Sequence, residues 1–114
     1  MNIVSNELTK KFMQDKYTMN TGSDEWQDIK GDFEMEGDAV MGVIAHEDYY
    51  KSLKIDKITE FKIKLEKFKI RVDNYSPKDR TETKEKQILS DKVKIGLEIY
   101  TAILGKNYFK HSLK

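Results

Sequence analysis

Residues 57–73, KITEFKIKLEKFKIRVD, carry the strongest pattern in the 114-residue chain, and their reading decides the fold. In an extended strand successive side chains point to opposite faces, so Phe61, Ile63 and Leu65 share one side and Lys62 and Lys64 the other. The alternation then resumes one residue out of phase, with Phe68, Ile70 and Val72 set against Lys67, Lys69 and Arg71, because Glu66 and Lys67 stand together. A slip of one residue would turn the apolar set outward, and a β-bulge here keeps it on one face. A chain reversal is the weaker alternative, since Glu-Lys is poor turn chemistry. The competing reading is a helix, because Ile58, Phe61, Leu65, Phe68 and Val72 also follow a three- and four-residue spacing. A helix leaves Ile63 and Ile70 on the solvated side and uses β-branched and aromatic residues of indifferent helix propensity. The bulged strand accounts for every apolar position, so the pattern predicts a strand.

Working outward, residues 29–36 alternate apolar Ile29, Phe33 and Met35 with acidic Asp32, Glu34 and Glu36, and Gly37-Asp38 offers a two-residue hairpin turn. The return segment 40–45, VMGVIA, is apolar on both faces and belongs inside a sheet. Residues 92–103 alternate Val93, Ile95, Leu97 and Ile99 with polar residues, and Gly96 would cost a helix about 1 kcal/mol relative to Ala, so a strand is expected there too. Residues 108–114 read as a short strand or basic tail. Ser5 or Asn6 can cap an N-terminal helix over about residues 7–16, residues 18–25 are a loop, and residues 46–54 are a short helix or turn. Trp26 is expected as a core or rim anchor. The charged insertion 74–91 is either a long loop or a helix through Leu89 begun by a capping box at Asp79 and Glu82. The expected fold is a small single α+β domain spanning residues 1–114, with the N-terminal helix packed on an antiparallel sheet of four to five strands.

Composition narrows the function. Hydrophobic residues make up 38% of the chain and charged residues 36%, against a charged fraction of about 25% in typical domains, so the core is thin. The absence of cysteine excludes disulfides and thiolate zinc sites and fits a reducing compartment. The N-terminal residues lack the apolar core of a signal peptide, and no apolar run approaches the roughly 20 residues needed to cross a bilayer. A cytoplasmic protein without membrane contact is expected. The richness in Lys, Ile, Asp, Glu, Asn and Tyr is what AT-rich codons encode, which favours a low-GC bacterium or one of its phages or plasmids.

Residues 1–56 hold 6 Lys against 12 Asp and Glu, a balance of −6, whereas residues 57–114 hold 15 Lys and Arg against 8 acids, a balance of +7. Such asymmetry points to a polyanion partner or to internal pairing of the two halves. No catalytic constellation accompanies it. His46-Glu47-Asp48 are adjacent and do not converge on one metal, and the Glu-x-Lys pairs Glu60/Lys62 and Glu82/Lys84 lack the upstream acid a metal nuclease needs. Neither a phosphate-binding glycine loop nor a nucleophile elbow occurs. A non-enzymatic protein without cofactor or metal is expected, acting through a host protein as a phage- or plasmid-encoded modulator or inhibitor. Nucleic-acid binding is the alternative. For either partner the binding residues would be Lys62, Lys64, Lys67, Lys69, Arg71, Tyr75, Lys78 and Arg80, with Tyr75 and Tyr100 stacking bases if it is a nucleic acid. Asp32, Glu34, Glu36 and Asp38 would form a separate acidic surface, lysines along 57–73 could instead protect a sheet edge, and a homo-oligomer is the third reading.

Overall fold

The computed structural model describes residues 6–14, 16–47, 49 and 54–112, and among them there is no strand. The described residues form four helices: α1 (Asn6–Met13), α2 (Asp24–Ala45), α3 (Ile55–Asn74) and α4 (Arg80–Ser112). The expected α+β architecture and its sheet are thereby replaced by an elongated helical bundle of 53 × 24 × 16 Å. The short helix or turn expected over 46–54 falls largely outside the described residues.

The first correction is at residues 57–73, which lie within α3. Ile58, Leu65, Phe68 and Val72 are buried and Phe61 packs partly buried against them. Ile63 and Ile70 are the two residues the helical spacing leaves out, and both stand on the solvent side, 47% and 60% exposed. No bulge is needed at Glu66-Lys67. A strand is stable only with strands beside it, and each segment that would have supplied one has the 3.6-residue period of a helix facing the same core.

Residues 29–45, expected as an acidic hairpin, continue α2 without a turn. Trp26, Ile29, Phe33, Val40 and Val43 form its buried stripe, and Gly37 sits mid-helix where an added Cβ would lie 3.9 Å from the rings of Phe12 and Phe33. Residues 92–103, expected as a strand, lie inside α4, whose buried face runs Leu89, Val93, Ile99, Tyr100 and Ile103. The glycine that argued against a helix is where the helices meet. A Cβ on Gly96 would lie 2.8 Å from Leu65 Cδ2 and 3.4 Å from Val40 Cγ2, so the propensity cost is offset by closer packing of α4 on α3 and α2. The helix continues to Ser112 through the residues expected as a C-terminal strand or tail.

Helix ends follow the expected chemistry more closely. Asp79 Oδ1 accepts the Glu82 N–H at 2.8 Å and so caps α4, which resolves the 74–91 insertion into a short turn and the first turns of that helix. Ser23 caps α2 by accepting the Trp26 N–H at 3.3 Å, and Gly22 before it has φ +93°, where a Cβ would meet the Trp26 ring. Trp26 is fully buried and stacks on Tyr75 with centroids 4.9 Å apart. Two lysines of α4 complete the C-terminal ends of other helices. Lys92 donates to the carbonyls of Phe12 and Gln14 at the end of α1, and Lys86 donates to Tyr75 O at 2.8 Å and Asp73 O at 3.2 Å at the end of α3.

Candidate functional site

Two features of the bundle could carry function: a buried polar centre and an exposed face. The polar centre lies where the loop before α2 meets the first turns of α4. Glu85 accepts the Trp26 indole N–H at 3.0 Å, the Thr18 N–H at 3.0 Å and the Lys30 ammonium at 3.0 Å. Lys30 also donates to the Thr18 and Thr21 carbonyls and to Thr21 Oγ1. One turn earlier, Glu82 accepts the Ser23 N–H at 2.7 Å, the Lys78 N–H at 3.0 Å and the Tyr75 hydroxyl. Burial pushes both carboxyls up, but the donors outweigh it: Glu82 is brought down to about 2, and Glu85 is held below the usual carboxylate range by Trp26, Lys30 and Thr18. Tyr75 is pushed up by burial and by its bond to Glu82. The carboxylates of this centre are held by groups of the same chain, so it fastens the loop to α4.

The sequence reading missed this centre. Its signal is the apolar stripe of α4, which, followed backwards in steps of three and four from Tyr100 through Val93 and Leu89, arrives at Glu85 and Glu82. Acids on a core stripe are buried acids.

The exposed face is the outer side of the α2–α3 pair. Asp32 binds Arg71 and the Phe33 ring lies 5.6 Å from that of Phe68, so the two helices run antiparallel with Met35 level with Lys67, midway between Ile63 and Ile70. Met35 is 72% exposed, which makes it the most exposed large apolar side chain among the described residues. Two further residues on this side of α2, Gly31 and Gly42, have nothing within 4 Å of where a Cβ would stand. Each costs the helix about 1 kcal/mol relative to Ala, and among the described residues nothing packs against either. Charges border the apolar centre unequally. Helix α2 carries Asp24, Glu25, Asp28, Asp32, Glu34, Glu36 and Asp38, and its one cation, Lys30, is buried. Helix α3 presents Lys64, Lys67 and Arg71 on the side nearer α2, while Glu60 is paired with Lys57 at 3.1 Å.

The helix redistributes the residues expected to bind a partner. At about 100° per residue, Lys62 and Lys69 fall on one flank of α3, and Lys64, Lys67 and Arg71 fall on the other. Lys69 is tied to Asp73 at 2.8 Å and Arg71 to Asp32. Lys78 and Arg80 are exposed at the start of α4, away from this cluster along the chain. Tyr75 and Tyr100, the expected stacking groups, are buried in the core. The acidic set also divides. Asp32 and Glu36 face α3, where burial raises the Glu36 carboxyl against the lowering effect of Lys64. Glu34 accepts the Tyr17 hydroxyl at 2.7 Å and, with Asp38, borders a groove of about 310 Å³ between α1 and α2, floored by Phe12, Phe33 and Met41.

No group of three or more His, Asp or Glu side chains among the described residues could hold a metal ion, and no helix among them is long and apolar enough to cross a membrane. No protein family, curated protein or solved structure matches the chain.

Proposed function

We propose that this chain is a small binding protein that acts by docking another protein on the outer face of α2 and α3, with no chemistry of its own. The observation that carries this reading is the exposure of Met35, Ile63 and Ile70 at one level of the bundle. Single exposed apolar residues are ordinary, but three on the same outer side of two neighbouring helices, bordered by charge, mark a contact surface. Isoleucine on the solvent side of a helix lowers helix propensity and leaves about half of its surface exposed, so its appearance at both positions, seven residues apart, gives the isolated fold little return. The matching partner has an apolar centre, with basic groups to meet α2 and acidic groups to meet α3. Nucleic-acid binding is less well supported, because its proposed base-stacking tyrosines are in the core.

The test is affinity capture from a low-GC bacterial lysate treated with nuclease, comparing the native chain with an Ile63→Asp/Ile70→Asp variant. The variant is expected to keep its helical circular dichroism and its melting temperature but to lose the captured protein. Equal capture by both chains would overturn the docking face. Capture that disappears on nuclease treatment, and falls steeply as salt is raised, would point to nucleic acid instead.

A further inference from the structure

We infer that the protein docked on the α2–α3 face is a second copy of this chain, related to the first by a two-fold axis running parallel to the helices. This deepens the docking reading and rests on it. Exposed Asp24, Asp28 and Asp32 of α2 and exposed Lys67 and Arg71 of α3 lie side by side on the outer surface, and only certain rotations match that surface to itself. Rotation about an axis in the interface and perpendicular to the helices lays α2 on α2, which opposes two rows of carboxylates. Rotation about an axis parallel to the helices lays α2 of each copy on α3 of the other, antiparallel to it, so every acidic row meets a basic one.

The same rotation keeps each residue at its own height along the bundle, so the internal register fixed by Asp32–Arg71 and Phe33–Phe68 also sets the contacts between copies. Met35 of one copy meets the other copy's α3 at Lys67, between Ile63 and Ile70. Ile70 of the second copy then comes down beside Gly31, and its Ile63 comes down near Ala39 and Gly42. Both glycines have open space above them, and both sit where the approaching isoleucines need a close backbone. Helices of 22 and 20 residues lying side by side offer a face of roughly 30 by 20 Å, on the order of 600 Å² per copy, toward the lower end for specific interfaces. Dimerisation should therefore depend on concentration.

The test is sedimentation equilibrium of the full chain from ~1 μM to ~1 mM, the range in which an interface of this size titrates. The mean mass is expected to rise from 13.4 kDa towards twice that value. Asp32→Lys and Lys67→Glu should each weaken self-association at least tenfold by setting like charges against each other. Mixed in equal amounts they should associate again, because one mixed interface gains the reversed pair and the other keeps the native one. Circular dichroism of both variants checks that the fold is intact. A native chain that stays at 13.4 kDa throughout excludes the second copy. The docking face itself then stands or falls on whether Ile63→Asp/Ile70→Asp abolishes capture of a different protein. Dimerisation that neither charge reversal affects would place the contact elsewhere and overturn the assignment of this face.

Discussion

Glu85→Leu is expected to lower the free energy of unfolding by about 3–5 kcal/mol, the cost of removing one member of a buried ion pair. The loss has three parts. The Lys30 ammonium, whose side chain is fully buried, keeps its carbonyl acceptors but loses its anion. The Trp26 indole N–H and the Thr18 N–H both lose their acceptor. Each buried donor left without a partner costs about 1–3 kcal/mol, and an unpaired buried charge costs more. A small domain has only about 5–15 kcal/mol of stability, so the variant will be close to unfolding at 37 °C. Lys30→Met placed on top of Glu85→Leu should recover part of the loss, because no buried charge then remains. Urea unfolding followed by circular dichroism measures all three chains. A loss below about 1 kcal/mol for Glu85→Leu would mean that the centre is open to water.

Acid is expected to unfold the protein through the neighbouring carboxylate. The folded-state value of Glu82 is depressed from 4.5 to about 2, so its contribution is fully present above pH 5 and is lost as the pH falls towards 2. By linkage a shift of that size corresponds to on the order of 3 kcal/mol. Glu85 is depressed as well and adds to the loss in the same direction. Tyr75 acts at the other extreme: its raised value means that stability falls as the pH rises past 10, where the unfolded tyrosine ionises and the folded one does not. Urea midpoints taken in steps from pH 7 to pH 2.5 should therefore drop steeply below pH 5 for the native chain. Glu82→Gln should begin about 2–3 kcal/mol less stable at pH 7 and show a shallower drop. A native curve that is flat below pH 5, or parallel curves for the two chains, would contradict the role given to Glu82.

One helix start could be read from the amino acids, but the regular elements could not. Asp79 has a local chemistry that works whatever the rest of the chain does, and its cap sits where that chemistry puts it, whereas Ser23, read as part of a loop, caps a helix the sequence reading did not expect. For residues 57–73 the strand reading rested on one assumption, that every apolar residue belongs to the core. Ile63 and Ile70 break it. An apolar residue on the solvent side of a helix looks the same in a sequence as one in the interior, and two such residues were enough to turn a helical period into an apparent alternation. Gly96 misled in a related way, since a glycine that seems to weaken a helix can be what lets two helices touch. The same physics limited the site. The basic residues of 57–73 lie outside the core, with Lys62 and Lys69 half-buried, but the face they occupy depends on whether the backbone turns by about 180° or about 100° per residue.

These arguments meet in one comparison, the unfolding free energies of Leu65→Asp and Ile63→Asp, measured at a concentration too low for copies to associate. In a strand the two positions share a buried face and would fail together. In α3 they lie on opposite sides. The expected result is a loss of several kcal/mol for Leu65→Asp and a change within about 0.5 kcal/mol for Ile63→Asp. Similar large losses at both positions would contradict the helix and, with it, the docking face.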